Sequence, residues 1–334
     1  MADNQQILLA ARPVGAPKAT DWTLQTVPAQ EPAEGEVLVR VLYLSLDPAM
    51  RGWMNDVRSY IPPVGLGQVM RAGGVGEVVA SKADGFKPGD HVSGTLNVQQ
   101  YATVKAKDLI RLDLNLAPLT TYLSVLGMPG LTAYFGLFDV GRPKAGETVV
   151  VSGAAGAVGQ VVGQLAKLKG CRVVGIAGGA DKCRWVVDEL GFDAAIDYKA
   201  EPVSKALRAH CPKGIDIYFD NVGGDILDAA LGALAMRGRV VICGAISQYN
   251  ATAEIKGPSK YLSLLVNRAR MEGMVIFDYV DRFPDAVAEM AGWLKDGRLK
   301  AREHVVEGGI PAFPDTLQML FTGENFGKLI LKVA

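Results

Sequence analysis

Histidine, cysteine and tryptophan are the residues this chain uses least. Its 334 residues include four cysteines, Cys171, Cys183, Cys211 and Cys243, and three histidines, His91, His210 and His304. The cysteines are scattered, with no C-x-x-C pair, which argues against a disulfide framework and against a zinc knuckle. The histidines fall in separate segments and read as structural or exposed residues. Zinc needs a compact set of His, thiolate or carboxylate ligands, so no metal is expected. An excess of charge is also lacking: Lys plus Arg and Asp plus Glu number 35 each, and the formal net charge is zero. Nothing draws nucleic acid or an anionic membrane to it through long-range charge. No run of about 18 apolar residues is present to span a bilayer. The apolar stretch Ile7 to Ala11 is too short for a secretory signal core. The expected compartment is the cytoplasm.

What the chain does have is glycine, 39 residues of it, which anticipates tight turns and close backbone approaches. At about 150 residues per domain, the length suggests two domains. The first third reads as all-β. Glu36 to Tyr43 alternates polar and apolar residues as a half-buried strand does. Val75 to Val79, His91 to Thr95 and Tyr101 to Val104 are further short strands, punctuated by Pro62-Pro63, Gly73-Gly74 and Pro88-Gly89. Such a series suggests a small barrel or sandwich.

The rhythm changes near residue 130. Unbroken apolar strands are expected at Thr148–Ser152, Arg172–Ile176, Ala195–Asp197, Asp216–Phe219, Val240–Cys243 and Glu272–Ile276. Helices fall between them, among them Ala157–Leu168, Lys182–Leu190 and, after the last strand, Arg282–Lys295. Six such strands alternating with helices argue for a parallel sheet covered on both faces, the doubly wound dinucleotide fold. The tail turns β-like, ending in Lys328 to Val333, and is expected to return to the first domain.

The sharpest motif is Ser152-Gly153-Ala154-Ala155-Gly156-Ala157-Val158-Gly159, set between a strand and a helix. Gly153 suits the tight turn, Gly156 the approach of backbone to a pyrophosphate, and Gly159 close helix packing. The amides at the helix start, including Val158 and Gly159, then face phosphate with the positive end of the helix dipole. The alternative is a glycine-rich turn that binds nothing. NAD sites place Asp or Glu at the end of the second strand; here that end reads Ala177-Gly178-Gly179-Ala180-Asp181-Lys182. Its small residues leave room for a 2′-phosphate, which Lys182 can reach. Otherwise Lys182 is a solvated lysine and Asp181 a helix N-cap.

The segments GAAGAVGQVVGQLAKLKGCRVVGIAGGADKC, YFDNVGG, CGAISQYN and RMEGM, with LSLDPAMRGWM early and GENFGK late, resemble the zinc-independent medium-chain dehydrogenases/reductases. The branch is that of the prostaglandin reductases and bacterial curcumin reductases, and the resemblance covers nearly the whole chain. It implies a GroES-like β-barrel domain over residues 1–128 and 302–334, a Rossmann domain over 129–301, NADP(H) as cofactor and a homodimer. It also implies reduction of the C=C bond of an α,β-unsaturated carbonyl, the small-molecule substrate. By position, the cofactor would be lined by Gly153, Gly156, Ala157, Val158, Gly159 and Gln160, and its 2′-phosphate held by Lys182 and Tyr198. Asn221, the segment Cys243, Gly244, Ala245, Ile246, Ser247 and Tyr249, then Phe277, Tyr279 and Asn325, would complete that lining. Two departures stand out. The family often reads D-P-Y-M-R where this chain has Asp47-Pro48-Ala49-Met50-Arg51, so its substrate pocket is reshaped. Where zinc-dependent relatives carry a Cys and a Gly-His-Glu, it has Ser45 and Gly67-Gln68-Val69.

Hydride addition to the β-carbon of an enone builds charge on the carbonyl oxygen, which the protein must stabilise. Without zinc, hydrogen-bond donors serve. Tyr249 and Tyr60 are the candidates, expected to come from opposite domains. Either could instead be a packing or surface aromatic. The other activities this sequence allows are quinone reduction with NADPH, and NADPH binding without catalysis.

Overall fold

In a computed structural model that describes residues 2–334, the chain divides into two units: residues up to Leu123 with Glu303–Ala334, and Ser124–Arg302. The first unit opens with the hairpin β1 (Asp3–Leu9) and β2 (Trp22–Pro28) and continues through β3 (Glu36–Ser45) and the short helix α1 (Ala49–Trp53). Strands β4 (Gly73–Ser81), β5 (His91–Thr95), β6 (Tyr101–Lys105) and β7 (Ile110–Arg111) follow. Alternation explains β3: Val37, Val39 and Val41 are fully buried while Arg40 faces solvent.

The second unit begins with α2 (Met128–Phe135) and then alternates. Its elements run β8 (Thr148–Ser152), α3 (Gly159–Leu168), β9 (Arg172–Ala177), α4 (Ala180–Asp188), β10 (Ala194–Asp197) and α5 (Val203–His210). They continue with β11 (Ile215–Asp220), α6 (Gly224–Leu231), β12 (Leu234–Ile242), α7 (Leu262–Val266), β13 (Arg270–Gly273) and α8 (Phe283–Lys295). All neighbours pair in parallel, in the order β10-β9-β8-β11-β12-β13. Every residue of β8 is buried, as a strand covered on both faces requires. Helix α3 lies close to Phe192: a Cβ on Gly163 would stand 1.8 Å from that ring. The order reverses between β8 and β11, so the crevice of a doubly wound sheet opens outside their carboxyl ends.

The chain then returns to the first unit with β14 (Glu303–Val306), α9 (Phe313–Thr322) and β15 (Lys328–Lys332). Strand β15 pairs β3, giving the order β14-β15-β3-β4-β5-β7 with β6 also on β3. No helix among the described residues is long and apolar enough to cross a membrane.

Three details depart from the sequence-based expectation. The last strand of the parallel sheet ends at Gly273, and Ile276–Arg282 is a helical turn, which carries Phe277 and Tyr279 off the sheet. The tail contains α9, whose first turn holds Pro314, and which buries Phe313, Thr316 and Leu317. The hairpin β1–β2 was not expected, because β1 opens on the polar run Asp3-Asn4-Gln5-Gln6 before its apolar end at Ile7–Leu9. Side-chain amides tie β1 to the segment before β6: Asn4 Nδ2 donates to Tyr101 O at 2.9 Å and Gln6 Nε2 to Gln99 Oε1 at 2.7 Å, while Gln25 of β2 donates to Gln6 Oε1 at 2.8 Å.

The LSLDPAMRGWM segment is a structural clamp. Lys328, 1% exposed, donates to Leu46 O at 2.8 Å and to Asp47 Oδ1 at 2.6 Å. Ser45 Oγ donates to the other Asp47 oxygen at 2.5 Å. Arg51 Nη2 donates to Pro13 O and Gly15 O at 3.0 Å each, and its Nη1 to Asn55 Oδ1 at 2.6 Å. The returning strand is thereby locked onto the loop after β3. Burial pulls the Lys328 ammonium below its ordinary range, and the Asp47 carboxylate opposes that pull. Removing one partner of a buried pair strands the other charge. Asp47→Ala is therefore expected to lower unfolding free energy by about 3 kcal/mol. Lys328→Met, which removes the buried charge itself, should cost less. Chemical denaturation measures both; an unchanged midpoint for Asp47→Ala would contradict the clamp.

Candidate functional site

Three loops meet at the carboxyl ends of β8, β11 and β12. The first is the glycine loop. Gly153 takes a φ of +60°, a conformation that side-chain-bearing residues resist. A Cβ on Gly159 would lie 2.3 Å from Gly153 O and 2.8 Å from Ala154 Cα, so only glycine lets α3 start this close beneath the loop. The amides of Ala157, Val158 and Gly159 find no backbone acceptor among the described residues. These are the orphan donors of a helix start, converging with the helix dipole on one point, a ready cradle for an anion.

Gln160 does not share in that cradle. Its amide donates to Gly156 O at 3.1 Å, and its buried side chain donates to Arg302 O at 3.2 Å and accepts Arg302 N–H at 3.0 Å. Its groups are occupied in anchoring the end of this unit.

The second loop follows β11. Asn221 Nδ2 donates to Ser152 O at 2.7 Å, and its amide donates to Ser152 Oγ at 2.9 Å. The third loop, Cys243 to Tyr249, folds onto the second. Cys243 and Gly244 donate to Asp220 O at 2.9 and 3.1 Å, Ile246 to Asn221 O at 3.3 Å, and Ser247 Oγ to Val222 O at 2.6 Å. The Ala245 amide donates to the Tyr249 hydroxyl at 3.1 Å. A phenol hydroxyl can accept one hydrogen bond and donate another. Burial, with the Asp220 carboxylate second, pushes the Cys243 thiol up to about 12. It is a packed thiol, not a nucleophile.

A second cluster gathers at the ends of β9 and β10. Helix α4 is capped by Gly179, at φ +100°, and not by Asp181, which is exposed and pairs with Arg184. The acid serving this turn is Asp197: its Oδ1 accepts the amides of Gly179 at 2.9 Å and Lys199 at 3.0 Å. The Tyr198 ring covers Gly178, where a Cβ would come within 2.8 Å of it. Burial, and then the charge of Lys199, lower the ammonium of Lys182 below its ordinary range. Two lysines thus share one neighbourhood beside a glycine turn, a setting in which a dianion would relieve their mutual repulsion. Lys199 was missed in the sequence because its significance arises only when β10 pairs beside β9.

The remaining expected residues belong to other elements. The Tyr279 ring stacks on Phe135 with centroids 4.6 Å apart, which makes it a packing residue; Phe277 is exposed. Asn325 and Tyr60 belong to the first unit. Asn325 Nδ2 donates to Gly327 O at 3.0 Å in the turn before β15, and Tyr60 is 55% exposed in a proline-flanked loop.

Residues 5–112 match a family model described as the N-terminal domain of oxidoreductase, and residues 157–292 one described as zinc-binding dehydrogenase. Among the described residues, no three His, Cys, Asp or Glu side chains are grouped to hold a metal ion. The chain is 45% identical to the NADPH-dependent curcumin reductase of Escherichia coli, covering 99% of this chain and 97% of that one. It is 40% identical to the NADP(+)-dependent 2-alkenal reductase of Nicotiana tabacum, covering 99% and 98%. With prostaglandin reductase 1 of Bos taurus it shares 39% identity over 96% of each chain. Among solved structures, that of CurA from Vibrio vulnificus in complex with NADPH superposes with a TM-score of 0.94 at 46% identity, over 99% of both chains.

Proposed function

Because the chain belongs to the medium-chain dehydrogenase/reductase superfamily, in the branch of the curcumin and prostaglandin reductases, we propose that it saturates the C=C bond of α,β-unsaturated ketones and aldehydes with NADPH. Its fold is that of the superfamily, a GroES-like unit and a six-stranded Rossmann unit. The observation that carries the reading is the pair of anion cradles on one sheet, the orphan amides after β8 and the two lysines after β9 and β10. A dinucleotide with a 2′-phosphate presents anions for both.

The residues fit that group. The amides of Ala157, Val158 and Gly159 would hold its pyrophosphate, and Lys182, Lys199 and Tyr198 its 2′-phosphate. When bound, NADPH supplies the hydride that adds to the β-carbon of the substrate. The chain's own task is then to meet the negative charge that develops on the carbonyl oxygen. We assign that task to the Tyr249 hydroxyl, already oriented by the Ala245 amide. Tyr60 is the second candidate. The reading gives this role to a phenol; among the described residues no three His, Cys, Asp or Glu side chains are grouped to hold a metal ion.

The sheet also supports the reading that two copies associate. Strand β13 has a partner on one side only, and all four of its residues are exposed. Leu262, Leu265 and Val266 of the adjoining α7 are 57%, 73% and 65% exposed. An open edge beside an apolar patch is a surface that soluble proteins ordinarily cover, and a second copy of the chain would cover it by symmetry. Analytical ultracentrifugation should return twice the mass of one chain; a single-chain mass would contradict this.

Three further outcomes follow for cofactor binding and catalysis. Hydrogen bonds to charged groups contribute roughly 1.5–3 kcal/mol, so Lys182→Ala should weaken NADPH by about 10- to 150-fold. NADH should be nearly unaffected, and Lys199→Ala should fall in the same direction. Equal losses for both cofactors would remove the phosphate assignment. In an assay of NADPH oxidation against enals, aryl enones and quinones, turnover is expected with the first two and should persist in a chelator. A positioned donor typically contributes about 10²–10⁴ in rate, so Tyr249→Phe should lower kcat at least tenfold. If Tyr249→Phe, Tyr60→Phe and their double variant all keep normal kcat, neither phenol is the donor.

A further inference from the structure

The carboxylate of Asp220 ends β11 fully inside the protein, 1% exposed. One of its oxygens, Oδ1, accepts four donors: Tyr218 OH at 2.9 Å, Ser152 Oγ at 3.1 Å, Val222 N at 3.1 Å and Gly223 N at 2.9 Å. The residue's main-chain oxygen accepts two more, from Cys243 and Gly244. Those donors come from the end of β8, the loop after β11 and the loop after β12. Strands β8 and β11 are the two neighbours between which the strand order reverses. In sheets of this kind the ligand lies in the crevice outside that point.

A buried acid is costly unless its oxygens are met. Here burial raises the Asp220 carboxyl above the ordinary carboxylate range, while the bonds from Gly223, Val222, Tyr218 and Ser152 draw it down. An apolar residue at this place would extend the run Tyr218-Phe219 without that cost. What the acid adds is geometry. Ser152 is the last residue before the glycine loop, and Gly223, at φ +71°, is the cap of α6. Both take their position from the same oxygen. Ser152 passes the constraint on, because its Oγ accepts the Asn221 amide and its carbonyl accepts the Asn221 side chain.

We propose that Asp220 is the positioning residue of the dinucleotide crevice, its carboxylate fixing the loops after β8 and β11 relative to one another through Ser152 and the amides of Val222 and Gly223. The inference rests on the reading that this crevice holds NADPH. Asp220 has no contact of its own to make with the cofactor in this role; its effect is exerted through the loops it joins.

The test separates positioning from general damage by using two ligands on the full-length protein. NADPH needs the crevice as well as the Lys182 cluster, whereas adenosine 2′-monophosphate needs only the cluster. Fluorescence and calorimetric titrations give both affinities without any turnover. Asp220→Ala should weaken NADPH roughly tenfold or more while leaving adenosine 2′-monophosphate within about twofold. Asp220→Asn keeps an acceptor oxygen in place and should recover most of the loss. Should Asp220→Ala not fold, Ser152→Ala removes only the bridging hydroxyl, and it should lower NADPH affinity and spare the nucleotide fragment. Parallel losses for both ligands, an unchanged NADPH affinity, or an Asn variant as weak as the Ala variant would each overturn the proposal. Failure of the unsubstituted protein to bind NADPH would instead overturn the cofactor reading, and would be seen before any variant is made.

Discussion

The amides of Ala157, Val158 and Gly159 stand at the end of a buried parallel strand with no acceptor in the backbone around them. Three unmet donors at a helix start carry a large desolvation cost unless water or an anion meets them. Much of the second unit is organised to keep them pointing at one place. Gly159 allows α3 to begin against the loop, Gly163 lets the helix settle on Phe192, and Asp220 and Ser152 tie the loop to the neighbouring strand. The parallel sheet makes this possible, because its strands deliver successive loops to the same edge.

The two ends of the cofactor are then met by different physics. In the proposed reading phosphate at the glycine loop is held by fixed backbone dipoles, which a point substitution cannot easily remove. In the same proposed reading the 2′-phosphate is held by side-chain charge, with Lys182 already partly desolvated and facing a like charge in Lys199. That repulsion makes the lysine pair a better host for a dianion than for a neutral ribose hydroxyl, which is the basis of the preference for NADPH. The same economy applies to the substrate oxygen: a neutral phenol placed by a backbone amide can donate without ionising.

How much of this could be read from the sequence varies with how local the cause is. The β-branched run of β8, the glycines that follow it and Lys182 are local signals, each carried by a few adjacent residues. The parallel sheet followed from period and length, which survive without tertiary knowledge. The residues that escaped were fixed by partners far away in the chain. Lys199 and Asp197 gain meaning from strand pairing, and Asp220 from the donors that close around it. Gln160 and Tyr279 sit inside recognisable segments, yet Arg302 and Phe135 claim their side chains. Strand β1 was hidden by the amides of its first half, which bond to residues 99 and 101, while Ile7 and Leu9 at its end enter the core.

The central claim is that hydride passes from NADPH to the β-carbon of an enone. The most direct measurement uses NADPH deuterated at the transferring position of nicotinamide C4, an aryl enone, and NMR of the product. The account predicts a saturated ketone with one deuterium on the β-carbon. Deuterium on the carbonyl carbon of an allylic alcohol, or a saturated product without deuterium, would contradict it.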